Sequence, residues 1–543
     1  MKNKIYYLII CLVLTFTSCT DHFDEIDTDK AGITNTPEDE GELKQPAIEY
    51  LSQAQRLIYN DDTGPYPIAA WVLQLQTNLN VDIWAGYLAS GTLFIGGKNN
   101  QSYKLVDGWN GYMLQYWNMT MSQIDEMRIS YEQVADKTPE DHTIRAISLL
   151  TKVLASERTA DMYGTLPYLS FGSSKPAYDN LDVVYSTFFS EIDQAKELLS
   201  KGSNLSKDQG KDLFYGGNVD KWNKLANTLR LRLAMRIVKA DPDESKKQAE
   251  KALLDAAGLI SDNSENCGFT KGYKNGLCVL AQAWGDTRMS ADMESILCGY
   301  DDPRLPKYFS TVDGKYRGIR VGSDFKGNMG PSFSSLGTAF PRDASYDIAP
   351  IFLVTSAEAY FLKAEAALRG FAGSGSASDN YNLGIEHSLK QWGVNDEALI
   401  TAYKKSKLKP RDWTSIDESI ANSVPAASKV TPSFDDATDN EAKLEKIITQ
   451  KWIAMFPGGS TVAWSEYRRT GYPRMLMPFK TYSSPVVNVS YGPKVVNNAK
   501  KAAIPSSQYQ DNYEFVIQAV EDYFGNKDDI TTPVWWDVDV PNI

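Results

Sequence analysis

The chain has 543 residues, 56 Lys and Arg against 69 Asp and Glu, a net charge of −13 and only 3 His. That length holds one very large domain or about three ordinary ones, and 42 % apolar residues supply a core that needs no disulfide scaffold. The acidic balance argues against a nucleic-acid partner, the three His leave little for His-built metal sites, and a mean hydropathy of −0.37 excludes a multi-span membrane protein.

Lys2 and Lys4 precede an apolar run from Ile5 to Phe16, followed by Thr17-Ser18-Cys19. A basic start, about a dozen apolar residues and small residues before a cut describe a secretory signal over residues 1–18, too short for a spanning helix of about 20 residues. Cys19, directly after small residues, resembles the Cys of a bacterial lipobox, which becomes the acylated N-terminus, although Phe16 stands where Leu is usual. The alternative is soluble secretion with Cys19 an ordinary residue. Asp21, Asp24, Glu25, Asp27 and Asp29 then open an acidic, apolar-poor stretch over 19–44 that reads as a flexible tether.

The body reads as helical. Trp222, Leu225, Ala226, Leu229, Leu233 and Ile237 form one stripe along Lys221 to Lys239, the 3.6-residue period of a half-buried helix. Asp241-Pro242-Asp243-Glu244 supplies a cap, a Pro at the first helical position and first-turn acids for a second helix ending near Gly258. Further helices are predicted over Pro46–Tyr59, Trp109–Glu132, Glu140–Met162, Val184–Leu199, Ser356–Arg369, Tyr381–Gln391 and Glu441–Met455. The Ala-dense segment 357–369, closed by Gly370, suits the close approach of stacked helical hairpins, with no clean 34-residue period. Asp161, Tyr163 and Gly164 read as a helix end, with Gly supplying positive φ.

Two long stretches break the pattern. Residues 263–349 are rich in Gly, Ser, Tyr and Asp, and residues 472–503 are similar, with Val486-Val-Asn-Val-Ser490 as a short strand. Loops this long are functional or disordered, and their aromatic content favours order. Cys267, Cys278 and Cys298 permit one disulfide plus one thiol left over, and spacing favours Cys267 with Cys278.

Several blocks in fixed order resemble the SusD/RagB family of outer-membrane lipoproteins. They are Asp161-Met-Tyr-Gly-Thr-Leu-Pro-Tyr168, Asp212 to Trp222 with Ala226 to Arg236, Asp302-Pro-Arg304, Ala357-Glu358 to Ala366, Gln450-Lys-Trp452 with Ala463 to Pro473, Ile504 to Tyr509, and Trp535-Trp-Asp537. Ile504-Pro505 lacks the usual Arg-Tyr lead-in. The resemblance implies a mainly α chain: a single domain over 45–543 on a tetratricopeptide-like helical-hairpin scaffold, with long irregular loops and a few short strands. It also implies a protein that is not an enzyme. Such proteins sit lipid-anchored on the outer membrane, facing the cell exterior, as a lid over a SusC-type TonB-dependent transporter. There they capture oligosaccharides, or in some relatives oligopeptides. The acids after Cys19 resemble the surface-export signal of Bacteroidota lipoproteins.

A sugar offers a flat C–H face and a rim of hydroxyls, so its site needs aromatic platforms beside Asn, Asp, Gln or Arg. Both loop-rich regions carry that mixture. The first holds Trp84, Tyr87, Asn100, Tyr103, Trp109 and Tyr112, among Asn78, Asn80, Asp82, Asn99 and Gln101; the second holds Trp284, Tyr300, Tyr316 and Phe325, with Asp286, Arg288, Asp324 and Asn328. From these, Trp84, Tyr87, Asn100, Tyr103, Trp109, Tyr112, Trp284 and Tyr316 are the candidate ligand residues. Taken singly, a ring in such a stretch is more often a packing residue than a ligand contact. Trp222, Trp452 and Trp464 lie in helical patterns and read as core, and Arg468-Arg469 beside Glu466 reads as structural ion pairing.

Catalytic motifs are missing. His22, His142 and His387 are far apart, no GxSxG occurs, and Gly96-Gly97 and Gly216-Gly217 do not complete a phosphate loop. No cofactor is expected, beyond structural calcium on loop carboxylates such as Asp435, Asp436 and Asp439, for which no motif speaks. Readings from other classes remain a secreted glycoside hydrolase on a two-carboxylate mechanism and a helical-repeat interaction scaffold.

Overall fold

Helices form where the 3.6-residue period runs, and several begin on the caps that the sequence provides. The computed structural model describes residues 46–59, 70–270, 274–323, 325, 329–341, 349–416, 423–482, 488–491, 494–497 and 499–543. Cys19, the acidic stretch, Asp324 and Asn328 lie outside the described residues. Contacts divide the chain into a unit of residues 1–45 and a unit of residues 46–543.

The principal helices are α1 (Ile48–Arg56), α2 (Asp107–Gln133), α3 (Pro139–Tyr163), α4 (Leu181–Lys201), α5 (Val219–Arg236), α6 (Pro242–Leu253), α7 (Ser356–Leu368), α8 (Ala377–Gln391), α9 (Glu397–Lys404), α10 (Asn440–Ala454), α11 (Ser460–Thr470) and α12 (Tyr513–Phe524). Short connections fold α2 with α3, α5 with α6, and α7 with α8 into helical hairpins. Thr138 and Asp141 form a reciprocal capping box ahead of Pro139, and the Asp241 side chain accepts from Glu244 N ahead of Pro242. Gly164 ends α3 at φ +79°, where an added Cβ would also meet Val534 Cγ1 at 2.9 Å. The chain is therefore mainly α, a helical-hairpin scaffold with long irregular segments. Among the described residues no helix is long and apolar enough to cross a membrane.

Ten short strands pair as five two-stranded ribbons among the described residues: β1 (Leu88–Ser90) with β5 (Thr287–Met289), β2 (Thr165–Leu166) with β3 (Asp179–Asn180), β4 (Cys267–Phe269) with β6 (Ile351–Val354), β7 (Trp413–Thr414) with β8 (Ser423–Val424), and β9 (Asn488–Tyr491) with β10 (Lys494–Asn497). β9 takes up the strand expected near Val486. Cys267 and Cys278 are buried thiols and Cys298 is half-buried, all three free, so the expected Cys267–Cys278 disulfide is corrected. Cys267 sits in the β4–β6 ribbon while Cys278 closes a helical turn, and burial holds both thiols protonated.

At the centre lies a buried ionic lattice built largely from the blocks that carry the family resemblance. Arg232 of α5 grips both oxygens of Glu358 of α7, at 2.7 and 2.6 Å, and also bonds Glu157 of α3. Arg469 of α11 bonds Glu365 of α7 at 2.8 Å and Glu466 at 2.6 Å. Asp161 accepts from Tyr185, Ser465 and Trp536 Nε1 at 2.7, 3.0 and 2.9 Å. Arg468 donates to Asp161 O and Lys500 O and lies over the Trp464 ring at 3.5 Å. The Arg468-Arg469 pair is thus structural, as its sequence setting suggests.

Candidate functional site

The ribbon β1–β5 joins the two loop-rich regions, with Leu88 opposite Met289, Ala89 opposite Arg288 and Ser90 opposite Thr287. Around it the chain approaches itself closely. Gly91 N donates to Asp286 O at 2.8 Å, and an added Cβ on Gly91 would lie 2.5 Å from Gly285 O. The Arg288 guanidinium ties the neighbouring segments together by donating to Gly330 O and Ala281 O, both at 2.9 Å. Burial pulls its pKa down, and the charge of Asp286 opposes that.

Asp286 is the junction of the site. Its two carboxylate oxygens accept from Thr92 Oγ1 at 2.7 Å and Gln74 Nε2 at 3.1 Å. It thereby fastens three pieces of chain: the turn Ala70–Leu73 with the π-helical turn Gln74–Asn78, the loop after β1, and the π-helical turn Val279–Trp284. Such π turns are rare and concentrate at functional sites.

Each piece presents an apolar side chain outward. Trp71 is 44 % exposed, Ile95 58 % and Trp284 45 %. The Trp71 ring meets Tyr112 edge-on at 5.6 Å, Tyr112 stacks on Tyr116 at 6.4 Å, and Phe94 meets Trp109 edge-on at 5.9 Å. Ile95 holds φ +53° and ψ +35°, a left-handed conformation that is an outlier for a β-branched residue. An exposed apolar side chain held in strained backbone is a feature of ligand-contacting loops.

Of the eight candidate residues, Trp109, Tyr112, Trp284 and Tyr316 keep exposed or half-exposed faces. The other four are buried. Trp84 is buried, donates Nε1 to Asn100 O at 3.1 Å and packs 5.0 Å from Trp464. Tyr87 donates its hydroxyl to Trp452 O at 2.6 Å, and Tyr103 is buried at the end of a helical turn with φ +57°. Asn100 is fully buried, accepting from Val106 N and donating to Asn110. Asn78, Asn80, Asp82, Asn99 and Gln101 are buried too; Asn80 and Asn99 cap helical turns, and Asn78 spans Asp82 and Thr287. Tyr300 and Phe325 are core. Trp71 escaped the sequence reading. Its signal is an apolar run, Ala69 to Leu73, too wide for one helix face, so one member must point outward.

Tyr316 belongs to a separate cleft of about 570 Å³ that shares no lining residue with the surface above. Two of the three calcium candidates serve the scaffold: Asp436 pairs with Lys446 at 2.6 Å and Asp439 caps α10, while Asp435 is exposed. Among the described residues no group of three or more His, Cys, Asp or Glu is placed to hold a metal ion. Ser356 Oγ and His387 Nδ1 approach to 3.2 Å, but the serine is fully buried and its hydroxyl donates to Asn263 at 2.7 Å. That pair is a packing contact, since no substrate atom reaches the hydroxyl.

A family model of the SusD-like group, described as SusD and RagB outer membrane lipoproteins, matches residues 25–537. Among solved structures, a chitin-binding SusD homologue from Flavobacterium johnsoniae is 34 % identical, with 92 % of this chain and 100 % of that chain covered at a TM-score of 0.82. A SusD homologue from Bacteroides vulgatus is 30 % identical (91 % and 98 % covered, TM-score 0.81), and one from Bacteroides uniformis 28 % (90 % and 99 %, TM-score 0.77). No curated protein matches the chain.

Proposed function

The chain belongs to the SusD-like family of SusD and RagB outer-membrane lipoproteins, and on that premise we propose that it captures oligosaccharides at the cell surface and delivers them to a SusC-type TonB-dependent transporter. Cys19 carries the lipid anchor in this reading, and residues 19–44 are the tether. The protein binds and releases without chemistry.

The observation that carries the reading is the exposed pair Trp71 and Trp284 with the strained Ile95, on segments held together through Asp286, and the half-exposed Tyr112 beside Trp71. Indole and phenol faces match the C–H face of a pyranose, and rim groups such as Thr92 and Asp286 suit its hydroxyls. The chitin-binding relative directs the first choice of ligand to N-acetylglucosamine oligomers.

Calorimetric titration of the mature chain against chitooligosaccharides and a wider neutral glycan panel tests it. Binding is expected with no hydrolysis of the glycan. Trp284→Ala and Trp71→Ala should each weaken it at least about tenfold, the loss that follows truncation of an aromatic anchor. Retained affinity in both variants would move the site elsewhere, and measurable cleavage would refute capture without turnover. Cys19→Ala should release the protein into the soluble fraction; persistent membrane attachment would remove the lipid-anchor claim.

A further inference from the structure

The cleft around Tyr316 differs in chemistry from the aromatic surface. Its lining includes Lys315, Tyr316, Arg317, Arg411, Thr414 and Glu294. Three cations against one carboxylate is a local reversal of charge in a chain of net −13, and the volume, about 570 Å³, is that of a small-molecule site.

Arg411 is built into place. Its backbone N donates to Ser295 O at 2.9 Å and its carbonyl accepts from Ser295 Oγ at 2.5 Å. The segment runs so close to Gly299 that an added Cβ there would lie 2.4 Å from Arg411 N. Nη2 bonds Glu294 at 2.6 Å, and Glu294 is itself fixed by Gly318 N at 2.6 Å. Gly318 in turn accepts from Trp413 Nε1 of β7 at 3.1 Å. The Arg411 side chain still is 47 % exposed, and among the described residues its Nε and Nη1 have no hydrogen-bond acceptor.

The remaining cations are held more loosely. Arg317 meets Asp313 at 3.1 Å, but the aspartate side chain is 80 % exposed, so that pair is weak. Lys315 is exposed and has no carboxylate partner among the described residues. A fixed guanidinium with free donors, flanked by two weakly neutralised cations, is an anion receptor. Tyr316 adds a half-exposed ring in the same wall.

We propose that this cleft binds an acidic saccharide unit, with its carboxylate or sulfate on Arg411, Arg317 and Lys315 and its sugar ring against Tyr316. It is a second site, independent of the neutral-glycan surface at Trp71 and Trp284.

The test is titration of the mature chain with oligogalacturonate, a sulfated disaccharide and a neutral oligosaccharide of equal length. Either acidic sugar should bind, and the carboxylated and sulfated arms show which anion the cleft prefers. Raising salt from about 20 to about 300 mM should weaken that binding at least about tenfold. Lys315→Ala with Arg317→Ala should weaken it about tenfold or more while leaving neutral-glycan binding unchanged. Lys315→Glu on the exposed side chain gives the same reading should the double variant not fold. The proposal is overturned if acidic sugars bind no better than the neutral one, if salt has no effect, if binding survives both variants, or if a glutamate-rich peptide binds more tightly. Loss of neutral-glycan binding in the wild-type chain would instead strike the function proposed above and leave this cleft standing.

Discussion

Asp292 is a carboxyl group sealed in the core. It lines a void of about 20 Å³ with Trp84, Gly86, Tyr103 and Met475, and its Oδ1 accepts from Leu476 N at 2.7 Å. Burial pushes its pKa up to about 7, against the pull of the Leu476 bond and of Arg320. Because the folded value lies above the unfolded one of about 3.9, the favourable contribution is complete below about pH 4 and is lost as pH rises through about 7. Asp292→Asn removes the ionisable group and keeps an oxygen for Leu476 N. It should stabilise the fold at pH 8 by up to about 4 kcal/mol, the value of a shift of about 3 units, and change little at pH 4. Urea unfolding at the two pH values checks this, and an equal effect at both would show that the charge is not the cause. At this scale the sequence was only partly legible. Trp84 and Trp109 stand in one loop-rich stretch, yet Trp84 fills the core against Trp464 while Trp109 remains half-exposed against Phe94. Nothing local distinguishes them, because the partner of Trp84 lies in α11. The asparagines between them look like sugar ligands for the same reason that they brace turns: short amides bond the backbone well.

The loop after β1 shows the same tension between order and strain. Ile95 and Gly96 are both left-handed, at φ +53° and +61°, and Gly91 admits no side chain against Gly285 O. The left-handed conformation costs a β-branched residue about 1–2 kcal/mol, which Asn tolerates far better. Ile95→Asn should therefore leave stability unchanged or raise it by about 1 kcal/mol while weakening oligosaccharide binding. Thermal melting and titration on one sample read both; weakened binding with a lower melting temperature would mean that Ile95 is packing rather than platform. Gly91→Ala should displace the β1–β5 junction and reduce binding further, since its Cβ meets backbone and not a flexible side chain. Most of the longer helices were readable from their period and caps, with α3, α5 and α10 within three residues of expectation, while α6 ends at Leu253, short of Gly258, and no range was predicted for α9, α11 and α12. The β1–β5 ribbon was not. Its strands are three residues each and some two hundred residues apart, so no alternation or turn signal announces their pairing.

Across the whole molecule, the blocks that made the family legible prove to be scaffold. Asp161, Arg232, Glu358, Glu466 and Arg469 come from α3, α5, α7 and α11 and meet in one buried ionic lattice, while the rings that face solvent lie outside those blocks. A fold can therefore be recognised while its ligand surface stays unread, because one is set by interlocking core charges and the other by loop side chains that need satisfy no helix partner. The lattice makes a definite demand on stability. Removing one member leaves buried charge unpaired, which costs about 3–5 kcal/mol, more than the pair itself contributes. Arg469→Met should destabilise the fold by about that amount, and adding Glu365→Gln, whose other partner Arg369 reaches solvent, should recover part of it, whereas Glu466 must stay charged for Arg236 and Lys451. The Arg469 guanidinium holds Glu365 and Glu466 below the usual carboxylate range against their burial. Their contribution is thus complete above about pH 4.5 and is lost only as pH falls through the lowered values. Acid titration followed by circular dichroism should show the wild-type chain folded to a lower pH than Arg469→Met. Coincident acid transitions in the two proteins would mean that the lattice does not set the acid limit of the fold.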